Sequence, residues 1–143
     1  MKKKIILVGI LSLLVYSQVY RFNKNAAASY IQENAENKSK CWCAWYVMKG
    51  LIAGGCPAIL LPAHAYEYYL PLVGFEQIHK ENYNPEIGDI IVFPSTKGHI
   101  WGHIQMWTGA QWASDFKQKH MIPAKAYHNV SWKIFRYKNS RLS

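Results

Sequence analysis

The sequence has few acidic residues, few cysteines and no apolar stretch long enough to span a membrane. It contains 8 Asp and Glu residues against 17 Lys and Arg residues, so its formal net charge is +9. The basic residues are scattered apart from Lys2, Lys3 and Lys4, and the sequence has no basic stripe, nucleic-acid-binding motif, internal repeat or low-complexity linker. This distribution argues against nucleic acid as a partner. With 143 residues, 50% of them apolar, the chain is predicted to form one domain with one core.

The longest apolar run, residues 5–16, follows the three lysines and is shorter than the roughly 20 residues of a spanning helix. A charged start followed by a run of this length is typical of a signal peptide. Val15 and Ser17 suit the −3 and −1 positions of a cleavage site. We predict a signal peptide over residues 1–17, or an uncleaved signal anchor at the inner membrane. In both cases the remainder should be exported, to the periplasm or the extracellular space.

The three cysteines leave at least one thiol unpaired within the chain, because their number is odd. Disulfides persist in exported proteins, and a bond between Cys41 and Cys56 would leave Cys43 free. Cys41 and Cys43, taken with His99 and His103, do not have a usual zinc-ligand spacing. We therefore predict no metal and no cofactor.

The apolar pattern changes from helical spacing to alternation along the chain. It predicts helices over residues 25–35, 40–52 and 63–69, with Ser39 as the N-cap of the second helix. Strands are predicted over residues 89–93, 103–107, 111–116 and 131–137. Helices followed by consecutive antiparallel strands indicate an α+β fold, in which N-terminal helices pack on a small antiparallel sheet.

Cys43 is the candidate nucleophile of the second helix. With Val47 and Leu51 it recurs every four residues, which places its side chain on the stripe that faces the strands. The N-terminus of a helix favours a nearby anion and so lowers the pKa of a thiol. Cys41 lies about 200° around the helix and should point elsewhere. The alternative interpretation is that Cys43 is a small buried apolar residue.

His103 is the candidate base, and Asp115 the group that would orient it. If a three-residue connection joins the second and third predicted strands, Trp107 lies opposite Gln111 and His103 lies opposite Asp115. Directly opposite Cβ atoms are about 5 Å apart, so the carboxylate could accept the imidazole N–H. His99, in a glycine-flanked loop, is the alternative base.

The segments CAWYV, AGG, GDIIVF, GHIQMW and QWASDF, in this order, resemble the CHAP amidases. These are cysteine- and histidine-dependent amidohydrolases of the papain-like, NlpC-related superfamily. The resemblance is strongest to the small peptidoglycan amidases among type VI secretion effectors and to their phage relatives. It implies a papain-like amidase domain over residues 22–140, with Cys43 as nucleophile, His103 as base and Asp115 as third member.

The resemblance also implies a function. The chain would hydrolyse an amide bond of the peptidoglycan stem peptide, either as an antibacterial effector with a cognate immunity protein or as a cell-wall lytic enzyme. Substrate contacts are expected from Trp42, Gln105, Tyr66 and Trp101, with Trp42 or Gln105 as second oxyanion donor beside the Cys43 N–H. The sequence does not determine which of the stem-peptide amide bonds is cut. A non-catalytic, zinc- or disulfide-stabilised wall-binding module is the alternative.

Overall fold

The computed structural model describes residues 20–138, so the predicted signal segment, residues 1–17, lies outside the described residues. Within 20–138 the fold is α+β, as predicted: three α-helices precede a five-stranded antiparallel sheet. The helices are α1 (Lys24–Asn34), α2 (Cys43–Ala53) and α3 (Tyr66–Leu72). The strands are β1 (Phe75–Ile78), β2 (Ile90–Phe93), β3 (His103–Trp107), β4 (Trp112–Ala113) and β5 (Lys133–Tyr137), in the sheet order β1-β5-β2-β3-β4. None of the helices in this part of the chain is long and apolar enough to cross a bilayer.

Helix α2 begins three residues later than the sequence indicates. Its N-cap position is taken by Trp42 and not by Ser39, so that prediction is wrong. Cys41 has a φ of 61°, in the left-handed region, and this conformation interrupts a right-handed helix. The later start makes Cys43 the first residue of the helix, where backbone N–H groups have no intrahelical partner.

Helices α1 and α2 approach each other closely at Gly50. A Cβ atom at this position would lie 2.7 Å from Cδ1 and Cγ1 of Ile31 on α1. A glycine inside a helix costs about 1 kcal/mol relative to alanine, and here close packing against a fully buried isoleucine explains its presence. The stripe predicted from Val47 and Leu51 is fully buried, which confirms the face of α2 that meets the core.

The sheet is covered on both faces. The residues of one face pack with the helices in the larger core cluster; they include Ile90, Val92, Ile104, Met106 and Phe135. The residues of the other face form a second cluster, Ile91, Phe93 and Ile134 with Trp112 and Tyr127. Because side chains alternate along a strand, His103 and Gln105 lie on this second face, opposite the helices.

The connection between β3 and β4 has four residues and not three. Trp107 pairs with Trp112 and Met106 with Ala113, where β4 ends. The Thr108 side chain holds this longer turn, because its Oγ1 accepts the backbone N–H of Gln111 at 3.2 Å. The predicted register of Trp107 opposite Gln111 and His103 opposite Asp115 is therefore wrong. His103 pairs with Phe93 of β2.

Candidate active site

A pocket of about 390 Å³ opens where the N-terminus of α2 meets the start of β3. Its lining includes Cys43, the first residue of α2, and His103, the first residue of β3. Asp115 and the exposed His99 also line it. The structure thus brings all three predicted catalytic side chains, and the alternative base, to one cavity.

Cys43 is half-buried and its thiol is held in the neutral form. Burial raises the pKa of the Cys43 thiol to about 11. The backbone N–H of Ile104 acts in the opposite direction and lowers this pKa, whereas the negative charge of Asp115 raises it. The sulfur therefore lies beside the backbone of β3 at Ile104. Strand β4 does not pair with this part of β3, because it pairs only with Met106 and Trp107.

His103 is buried among aromatic rings. Its ring centroid lies 5.9 Å from that of Phe93, 6.2 Å from Phe116 and 6.3 Å from Tyr127. Burial lowers the pKa of His103, and the hydrogen bond with Gln118 opposes this change. Burial consequently favours the neutral forms of both the imidazole and the thiol.

Gln118 supplies the hydrogen bond that orients the His103 ring. Its Oε1 lies 2.8 Å from His103 Nε2, and its own Nε2 donates to Gln105 Oε1 at 2.6 Å. Gln105 Nε2 then donates to the backbone oxygen of Met121 at 2.7 Å. Gln105 is fully buried and its amide is engaged in this chain, so the expectation that it contacts substrate is wrong. Sequence reasoning missed Gln118, which lies beyond the last residue of β4 in a polar stretch without periodicity.

Asp115 is fully buried and binds the segment that leads into α2. Its Oδ2 accepts the backbone N–H of Lys40 at 2.6 Å and of Trp42 at 3.2 Å, together with the Ser39 hydroxyl at 3.1 Å. Its Oδ1 accepts the Ser114 hydroxyl at 3.0 Å. The carboxylate thereby fixes the approach to Cys43, while the hydrogen bond that the structure gives His103 is with Gln118.

The remaining residues predicted to contact substrate differ in their exposure to solvent. Trp42 and Trp101 are 57% and 63% exposed beside the pocket, where a ligand can reach them. Tyr66 is fully buried and donates its hydroxyl to the Ile59 carbonyl at 2.6 Å, so its predicted contact with substrate is wrong. Its ring is large and apolar, and the register of α3 turns it into the core.

The cysteines and histidines do not form a bridged or metal-binding cluster. Cys41 is exposed, Cys56 is buried and all three cysteines are free, so no Cys41–Cys56 disulfide is formed. Among residues 20–138, no three His, Cys, Asp or Glu side chains are placed to hold a metal ion.

Two crystal structures are similar to this chain. One is the type VI native effector-immunity complex Tae3-Tai3 from Ralstonia pickettii, with a TM-score of 0.73 and 32% identity over 82% of this chain and 100% of that chain. The other is the selenomethionine form of the same complex, with a TM-score of 0.68 and 34% identity over 76% and 97% of the two chains. No protein-family model matches the sequence, and no curated protein matches it significantly. The fold is therefore that of a type VI secretion effector. The chain belongs to the Tae3 effector family.

Proposed function

We propose that this protein is a type VI effector that hydrolyses peptidoglycan as a papain-like (NlpC/CHAP) cysteine amidase. The observation that carries the proposal is the shared pocket, in which a thiol at a helix N-terminus meets a buried imidazole. Membership of the Tae3 effector family supports the same reaction class. Cys43 would be the nucleophile and His103 the general base.

The neutral resting pair determines how the reaction starts. His103 takes the thiol proton as the Cys43 sulfur attacks the amide carbonyl, and it returns this proton to the leaving amine as the C–N bond breaks. Water then attacks the thioester, again with His103 as base, which releases the acid and restores the thiol. The backbone N–H of Cys43 is the oxyanion donor, since the preceding N–H, of Trp42, is already bound by Asp115.

Gln118 is the residue that orients the base, in place of the Asp115 that the resemblance implies. Its Oε1 receives the Nε2–H of the neutral ring and leaves Nδ1 with the lone pair that accepts the thiol proton. Asp115 is a positioning residue for the nucleophile, because it binds the backbone that leads into α2.

The substrate is an amide of the peptidoglycan stem peptide, with contacts from Trp42 and Trp101. Residues 22–140 are the catalytic domain in this proposal, and residues 1–17 the export segment. The site of action is the periplasm. The structures of Tae3 are effector-immunity complexes, and we accordingly expect a cognate immunity protein for this chain.

Replacement of the nucleophile tests the proposal. Cys43→Ala should reduce the release of new amino groups from purified sacculi by at least about a thousandfold, because it removes the thiol that forms the thioester in the proposed mechanism. Its thermal unfolding should stay cooperative. Cys41→Ala, which removes an exposed thiol two residues away, should retain activity. Undiminished activity of Cys43→Ala would rule out the mechanism.

A further inference from the structure

A second cavity, an apolar groove of about 310 Å³, adjoins the catalytic pocket at Cys43. Its walls come from the first turn of α2, from residues 60–63 and from the loop before β3. The side chains that line it include Trp42, Trp45, Leu60 and Trp101, which are 57%, 40%, 52% and 63% exposed. None of the described residues that line it carries a charge.

The backbone near the groove is held in place by partly buried hydrogen bonds. The Tyr66 hydroxyl donates to the Ile59 carbonyl at 2.6 Å, and the Tyr69 hydroxyl donates to the Pro57 carbonyl at 2.9 Å. The backbone N–H of His64 donates to the Trp101 carbonyl at 3.0 Å, which joins the second wall to the third. The large apolar side chains of the groove are thus exposed to solvent on a backbone that is held in place. Exposed apolar patches of this kind are typical of binding surfaces.

The groove and the catalytic pocket share Cys41, Cys43 and Trp101, whereas His103 lines the pocket and not the groove. An amide whose carbonyl carbon lies over the Cys43 sulfur is therefore adjacent to both cavities. The leaving nitrogen has to reach His103 for protonation, so the amine half of the substrate occupies the pocket. The acyl half, which stays bound to sulfur in the thioester, then occupies the groove.

We propose that this groove is the acyl subsite and that it selects an uncharged acyl group with an apolar face. This inference rests on the proposed cysteine amidase function. A free carboxylate in contact with the groove would lose its hydration without a cationic side chain in the lining to pair with it, which is unfavourable. Indole rings instead bind apolar faces, such as the methyl of an alanyl residue or the C–H face of a sugar ring.

Steady-state kinetics on soluble muropeptides, prepared from purified sacculi with a glycosidase, test the subsite. Trp45→Ala and Leu60→Ala should each raise KM about tenfold, the effect of losing about 1.4 kcal/mol of binding. Ile52→Ala is the matched control, because Ile52 lies on the same helix, is 49% exposed and lines neither cavity. It should leave KM unchanged. Thermal unfolding of each variant verifies that it is folded.

Product inhibition tests which half of the substrate, acyl or amine, binds in the groove. The acid product, purified from a wild-type digest, should inhibit Trp45→Ala about tenfold more weakly than wild type, while inhibition by the amine product stays unchanged. The reverse pattern, or equal effects on both products, would overturn the assignment. Unchanged KM in both groove variants would overturn the subsite itself.

One further comparison completes the test. A synthetic stem peptide without sugar separates the two sources of an apolar face: loss of the Trp45→Ala effect on this peptide assigns the groove to a sugar, and its persistence assigns the groove to an alanyl residue. Failure of the proposed function would look different, because wild-type enzyme would then form no product from any of these substrates.

Discussion

The carbonyl oxygen of Met121 determines which nitrogen of His103 carries the proton. A backbone carbonyl can only accept, so Gln105 must present its NH₂ group to Met121 and its oxygen to Gln118. Gln118 must then present its NH₂ group to Gln105 and its oxygen to His103. The imidazole Nε2 is consequently the donor, and Nδ1 is the basic nitrogen, which receives the thiol proton in the proposed mechanism.

This hydrogen-bond chain predicts how the acid limb of the pH profile responds to Gln118→Glu. A carboxylate in place of the amide oxygen stabilises the imidazolium and raises the pKa of His103, which burial holds below its usual value. A protonated imidazole cannot act as base, so the acid limb of kcat/KM should move to higher pH. Gln77→Glu, on the exposed surface of β1, is the control and should leave the limb in place. An identical limb in Gln118→Glu and wild type would contradict the orienting role.

At the scale of single residues, the sequence indicated the proposed nucleophile and the proposed base, but not the glutamine that orients the base. Cys43 and His103 precede strongly patterned elements, and both line the pocket. Asp115 lines it as well, yet its side-chain hydrogen bonds go to residues 39–42 and to Ser114, because one extra residue in the turn after β3 shifts the register. Gln118 could not be predicted, since a buried glutamine beyond a strand end cannot be distinguished from a solvated one by sequence pattern.

At the scale of elements, the loop that leads into β3 requires glycine at its last position for two reasons. Gly102 has a φ of 69°, and a Cβ there would lie 2.3 Å from the Phe93 carbonyl oxygen and 3.0 Å from the His64 Cβ. This close contact fixes Trp101 beside the groove and His103 at the start of the strand. The glycine in the GH pair of the sequence motif therefore has a steric role.

Two alanine substitutions in this loop separate backbone strain from close contact. Gly98 has a φ of 92° but no atom within 4 Å of a Cβ built there, so Gly98→Ala should cost about 1–2 kcal/mol of strain alone. Gly102→Ala bears a similar strain and must also displace a carbonyl, which adds about 1–3 kcal/mol. Urea unfolding and kcat/KM measure both effects. Gly102→Ala should be the less stable and the less active variant, and equal losses would contradict the steric role.

The elements themselves could be predicted where the apolar pattern is strong. The bounds of α1 and β3 agree with the sequence prediction to within one residue. Strand β1 was not predicted, because its burial comes from antiparallel pairing with β5, some sixty residues later in the chain. Strand β4 is shorter than predicted, since the backbone after Ala113 turns toward residues 36–42: the Glu36 N–H bonds the Asp115 carbonyl at 2.8 Å.

At the scale of the whole molecule, one buried ion pair joins the turn before β2 to β5. Asp89 is 1% exposed, and both of its carboxylate oxygens accept from the Arg136 guanidinium, at 2.8 and 2.7 Å. The Tyr83 hydroxyl and the Glu86 backbone N–H also donate to Oδ2, each at 2.8 Å. The glycine–aspartate pair before β2 thus has a structural role at the end of the sheet remote from Cys43.

The excess of basic residues, +9 for the whole sequence and +6 without Lys2, Lys3 and Lys4 of the proposed export segment, predicts how the protein binds the cell wall. An anionic cell wall attracts a cationic protein over several ångströms, and salt screens this attraction, with a Debye length of about 10 Å at 0.1 M and about 3 Å at 1 M. Co-sedimentation of Cys43→Ala with purified sacculi should therefore weaken over this range of salt. Hydrolysis of a soluble muropeptide by the wild type should change much less, because contacts within the pocket and the uncharged groove determine its KM. Retention on sacculi at 1 M salt equal to that at 0.1 M would show that short-range contacts alone hold the protein on the wall.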